Sequence, residues 1–197
     1  MKLRSPLLFL ILTVVAGTLS AAPIAFQTVL SGPAEEPPNA SPGTGTSLVI
    51  FDPVAHTLFV NIVFSGLLAP NTASHIHVIN GPGDANTADT LGPVVTATPT
   101  FPGFPSGTTA GAYSRTFDTL DAASYRAGFI TAAGGIPQAE AALFSGIMEG
   151  RAYVNIHTSF APGGEIRGFL EPVPEPATVG LVGAAFCGLM FARRRFC

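Results

Sequence analysis

GRAYVNIHTSFAPGGEIRG, running from Gly150 to Gly168, decides how this chain folds. Two short segments, Tyr153–Thr158 and Gly164–Phe169, alternate apolar and polar residues on either side of Pro162-Gly163-Gly164. That turn chemistry predicts a hairpin and antiparallel pairing of its two arms. Successive side chains of a strand point to opposite faces, so Val154, Ile156 and Ile166 enter one core while Tyr153, Asn155, His157, Glu165 and Arg167 share the other face. SHIHVI, from Ser74 to Ile79, repeats the pattern with Ile76 and Val78 on the apolar side and His75 and His77 on the polar side. The polar face therefore collects three of the four histidines with a carboxylate and a guanidinium. If the protein has a site, it is there.

Working outward, apolar runs of strand length lie at Ala25–Leu30, Gly45–Phe51, Thr57–Ser65, Ala73–Ile79, Gly92–Thr96, Gly111–Phe117, Arg151–Thr158 and Glu165–Leu170, separated by Gly and Pro. This spacing predicts an all-β, antiparallel, Greek-key-like β-sandwich. One short helix is expected over Pro137–Glu149, where proline sits near the start, Leu143 and Ile147 are four apart, and Gly150 follows the end. Asp118–Arg126 is a second candidate. The stretch from Asn80 to Ala110, with one strand inside it, is long for a connection, and connections of that length tend to be functional or mobile.

Both ends read as processing signals. Residues 1–22 have a basic start (Lys2, Arg4), an apolar run from Leu7 to Val15 and small residues at Ser20–Ala22, the pattern of a secretory signal peptide removed by signal peptidase. At the far end, Pro174-Glu175-Pro176 precedes an apolar run from Ala177 to Ala192 and then Arg193, Arg194 and Arg195. As a helix the run is about 24 Å long, enough to span a bilayer with local thinning. The arginines would stay cytoplasmic, leaving residues 23–171 outside.

That central unit carries four arginines, no lysine and eleven carboxylates, a net charge of about −7. Such a surface speaks against nucleic acid and anionic membrane as partners. Cys187 and Cys197 both lie in the tail, so the unit has neither disulfide nor thiolate chemistry. No phosphate loop, dinucleotide fingerprint or nucleophile elbow is present. Ser74 adjoins His75 in the chain but faces the other way, which prevents a relay between them. Glu35 and Glu36 sit in a proline-rich stretch that suggests a turn, and His56 reads as a solvated loop residue.

The segments LSGPAEEPPNASPGTGT (Leu30–Thr46), HTLFVNIVFSGL (His56–Leu67), ASHIHV (Ala73–Val78) and GRAYVNIHTSFAPGGEIRG resemble the CHRD family, named for the repeats of chordin. The resemblance implies an extracellular β-sandwich with no established catalytic activity. Residues 172–197 resemble a PEP-CTERM sorting signal, which implies recognition and removal by an exosortase-type membrane enzyme and only transient anchoring. HIH followed later by NIHT also looks like the copper ligand pattern of copper/zinc superoxide dismutases, by which His75, His77 and His157 would be the ligands. No histidine lies between His77 and His157, so the bridging imidazolate and zinc site of those enzymes are missing.

Two functional expectations follow. The leading one is a non-enzymatic exported domain of the cell envelope or its extracellular matrix, whose histidines form a hydrogen-bonded cluster with Tyr153, Asn155, Glu165 and Arg167 and which needs no cofactor. The other is a mononuclear copper or zinc protein using His75, His77 and His157, since imidazole suits both ions and residues i and i+2 of a strand share a face.

Overall fold

The computed structural model describes residues 22–85 and 90–174. The signal segment up to Ala21, and Glu175, Pro176, the tail helix and Arg193–Arg195, lie outside the described residues. Among those described, no helix is long and apolar enough to cross a membrane.

The chain forms β1 (Ile24–Ser31), β2 (Thr44–Asp52), β3 (Thr57–Ser65), β4 (Asn71–Val78), β5 (Gly111–Asp118), α1 (Ala127–Ala133), α2 (Ile136–Met148), β6 (Ala152–Thr158), β7 (Ile166–Phe169) and the two-residue β8 (Glu171–Pro172). The strands make one antiparallel sheet in the order β4-β6-β7-β1-β2-β3-β5, with β8 joined to β1. The sheet curls into a sandwich-like body, so that its two halves press one apolar core. Phe26, Leu30, Val49, Phe51, Val60, Ile62 and Phe64 enter from β1 to β3, and Ile76, Val78, Val154, Ile156 and Ile166 from β4, β6 and β7. The five core residues expected from the alternation around the two histidine segments are all fully buried.

The hairpin arms pair as their alternation demands. Tyr153 faces Phe169, Asn155 faces Arg167 and Ile156 faces Ile166 across β6 and β7, while His75 faces Asn155 and His77 faces Tyr153 across β4 and β6. Directly opposed residues share a face, so this register fixes which side chains meet. The β2–β3 turn is held by Asp52, whose carboxylate accepts from the backbone N–H of Val54 and Ala55.

Two segments depart from expectation. Gly92–Thr96 contributes only single bridges at Val94 and Thr96, because its proline and glycine deny it a continuous ladder. The expected helix at Asp118–Arg126 shrinks to a 3₁₀ turn over Ala122–Ser124 capped by Asp121, and a true helix follows it at α1. In α2, Ala139, Leu143, Gly146 and Ile147 form the buried stripe. A Cβ at Gly146 would lie 2.5 Å from a Val78 methyl, which shows how tightly α2 seats on β4.

Candidate metal centre

The polar face of β4, β6 and β7 is not solvent-exposed. The Leu91–Phe101 segment runs along the free edge of β4, with Val78 N–H donating to Pro93 O, Val95 N–H to Ile76 O and Phe101 N–H to Ser74 O. This part of the long connection roofs His75 and His77, while half-buried His157 is held from the β6–β7 hairpin. The loop from Gly32 to Ser41 closes the other flank through Arg167 and Glu165.

Each histidine is anchored by one backbone carbonyl. His75 donates from Nε2 to Pro99 O at 2.7 Å, His77 from Nδ1 to Gly92 O at 2.8 Å, and His157 from Nδ1 to Pro162 O at 3.0 Å. A carbonyl can only accept, so the bonded ring nitrogen carries the proton and the other holds a lone pair. Those other nitrogens, Nδ1 of His75 and Nε2 of His77 and His157, are buried with no hydrogen-bond partner. The ring centroids form a nearly equilateral triangle with sides of 5.8, 5.3 and 5.7 Å. One ring nitrogen from each lies within 4.8 Å of the other two. Three neutral donors, each oriented from behind, are the form in which imidazole binds a metal ion.

The electrostatics keep the rings neutral. Burial, with His157 nearby, lowers the pKa of His75 to about 4. Burial dominates again at His77, bringing it to about 3 against the opposing effect of the Gly92 carbonyl, and it also lowers His157.

Gly92 is required where it stands. A Cβ there would sit 2.4 Å from the carbonyl carbon and oxygen of Val78. Only glycine lets this backbone approach β4 closely enough to offer its carbonyl to His77 and its N–H to the Tyr153 hydroxyl at 3.1 Å. The Tyr153 ring stacks on His77, centroids 4.9 Å apart and 9° from parallel.

Glu165 and Arg167 share the face but join neither the histidines nor each other. Both Glu165 oxygens are occupied, by Ser41 Oγ and Leu68 N–H on one and Thr158 Oγ1 on the other, at 2.6–2.7 Å. Arg167 donates to Ala34 O and to the carbonyl and hydroxyl of Thr90, lies over the rings of Tyr153 and Phe169, and pairs with Glu35 at 3.7 Å. Expectation assigned these two residues to the histidine cluster; instead they fasten loops to the sheet. Asn155 lies between the two groups, its Oδ1 buried and unpartnered.

Two further expectations need correction. Glu35 is not a plain turn residue: it is buried against Arg167, and desolvation raises its pKa to about 7 despite the guanidinium. His56 is half-exposed but paired, its Nδ1 lying 3.0 Å from both oxygens of Glu140 on α2. The functional groups that sequence reasoning missed are the carbonyls of Gly92, Pro99 and Pro162. Every residue carries a carbonyl, so no residue type could mark them.

Compared with known proteins, residues 26–170 match the family model of the CHRD domain. Residues 172–195 match the model of the PEP-CTERM protein-sorting motif. No curated protein and no solved structure matches the chain.

Proposed function

Because the chain belongs to the CHRD domain family and carries a protein-sorting motif that marks it for export and handling by an exosortase-type enzyme, we propose that it is a non-enzymatic metal-binding domain of the cell envelope or its matrix. His75, His77 and His157 hold the ion, a copper or zinc ion by the preference of an all-imidazole set. The observation that carries this reading is the trio of buried nitrogens without partners. Buried polar atoms in folded proteins are almost always satisfied, so three unpartnered ring nitrogens, on histidines that bring one nitrogen each within 4.8 Å of the other two, are best accounted for by a ligand that engages all of them.

Binding without turnover is supported by the surroundings. Catalysis at a metal usually recruits a nearby acid or base, yet the Glu165 oxygens are committed to three donors and the Ser74 hydroxyl donates to Asn155 O. Metal analysis of protein purified from the exported fraction without chelator tests the proposal. Stoichiometric metal, absent from His75→Ala, His77→Ala and His157→Ala, is the expected result. Metal content unchanged in all three variants would refute the site, and recovery of the protein in the cytoplasm would refute its placement.

A further inference from the structure

Resting on that reading of the histidine triangle, we infer that the site selects copper in its monovalent state, Cu(I), over the divalent ions that also favour imidazole. Three features of the site point the same way.

The ligand set is uncharged. Histidines are the sole members of the ligand group among the described residues, and the two buried carboxylates lie outside it, Glu165 held by hydroxyl and amide donors and Glu35 paired through Oε2 with Arg167, its Oε1 without a partner. The cost of taking an ion out of water grows with the square of its charge, so a divalent ion meets about four times the penalty of a monovalent one. A divalent ion here must carry in an anion of its own.

The site is also buried, and a positive charge stands beside it. His75 and His77 are 6% and 7% exposed, which keeps the effective dielectric low. The Arg167 guanidinium, itself buried, lies over the same Tyr153 ring that stacks on His77. Its pairing with Glu35 at 3.7 Å offsets part of that charge, and the remainder repels a bound cation in proportion to the cation's charge.

Finally, the shape is trigonal. Cu(II) prefers a tetragonal or square-planar arrangement, whereas three rings at 5.3–5.8 Å from one another describe a triangle with no fourth side chain in the ligand group among the described residues. A filled-shell d¹⁰ ion has no such preference and accepts three nitrogens. Zn(II) shares that shell and would complete a tetrahedron here with a water or other exogenous fourth ligand, so shape alone does not separate it from Cu(I). Charge thus disfavours both divalent ions, and the three-nitrogen shape disfavours Cu(II) again.

The test is anaerobic titration of the purified full chain with Cu(I) against bicinchoninate, and with Zn(II) and Cu(II) against chromophoric chelators. One Cu(I) per chain is expected, held roughly a hundredfold tighter than either divalent ion, with that binding lost in His157→Ala, the least buried of the three positions. His75→Asn serves as a second variant, and circular dichroism checks that both remain folded. If Zn(II) or Cu(II) binds at the histidines as tightly as Cu(I), the monovalent preference is overturned while the metal site stands. If no ion binds at one per chain, both are overturned.

Discussion

Two buried polar clusters stand a few residues apart on the same face of the same sheet, and they are built on opposite principles. Around Glu165 every acceptor is taken, and the donors come from three different segments: Ser41, Leu68 and Thr158. Around the histidines each ring is bound once from behind and left open in front. The first cluster is closed and so serves the fold. The second has been oriented but not completed, which is the mark of a site rather than a staple. Burial does not tell them apart; the ring nitrogens left without partners do.

The sharpest way to break this comparison is to remove the closed cluster. Glu165→Ala strands three donors, the buried hydroxyls of Ser41 and Thr158 and the part-buried N–H of Leu68, and we expect a loss of about 3–5 kcal/mol of stability by chemical denaturation. If the loss is under about 1 kcal/mol, Glu165 is not the staple described. The open cluster should respond to ligand instead. Saturation with metal at a hundredfold excess over Kd should stabilise the protein by about 2.7 kcal/mol, with no thermal shift in a variant lacking all three histidines. A wild-type shift persisting in that variant would place the binding elsewhere.

Gly92→Ala probes the roof between them. The clash with Val78 should cost about 1–3 kcal/mol, and displacement of the carbonyl behind His77 should weaken metal binding roughly 10- to 100-fold. Unaltered affinity in a folded Gly92→Ala protein would show that the roof does not orient the ring.

The pH dependence separates the clusters more finely. His75 and His77 have depressed pKa values, so their contribution is present above pH 6.5 and is lost as pH falls through about 4 and about 3. Glu35 behaves oppositely: its contribution is present below pH 4.5 and is lost as pH rises through about 7. Between pH 4.5 and 6.5 the two oppose one another. Metal-free protein should lose stability on acidification in that window, and Glu35→Gln should lose it more steeply, by up to about 1.4 kcal/mol per pH unit. A flatter profile in Glu35→Gln would contradict the assignment. Least of all, His56→Ala should cost under about 1 kcal/mol, because the pair with Glu140 is half-exposed.

Much of this arrangement is legible in the sequence, and the reason lies in the period of two. Alternation in Ser74–Ile79 and Tyr153–Thr158 is enough to sort Ile76, Val78, Val154 and Ile156 from His75, His77 and His157, but their convergence rests on the pairing of β4 with β6, a register that the hairpin through Pro162 between β6 and β7 does not set. The strand Thr57–Ser65 is legible to its end residues. Pairings that depend on loops are not. Arg167 and Glu165 alternate in phase with the histidines, yet their partners come from Ala34, Glu35, Ser41, Leu68 and Thr90 as well as the hairpin, in segments whose path no periodicity encodes. Glu35 therefore has the sequence context of a turn and the structural place of a buried counter-charge. The Gly92–Thr96 segment reads as a strand because Val94 and Val95 favour one; its place as a roof depends on a close approach that only the fold reveals.

The pairing of β8 with β1 has a mechanical consequence. Phe26 faces Pro172, Gln27 faces Glu171, and Val173 N–H reaches Ala25 O, so the first and last strands leave the body side by side. A pull on the chain beyond Pro174 loads this two-residue ladder from its end. Its hydrogen bonds then break in sequence, as a zipper opens, instead of sharing the force as they would in shear. The exit is thus a weak peel point, and behind it lie Leu170 and β7, locked by Arg167 and the Glu165 cluster. Tension from a tethered tail would be spent on β8 before it reached the histidine triangle.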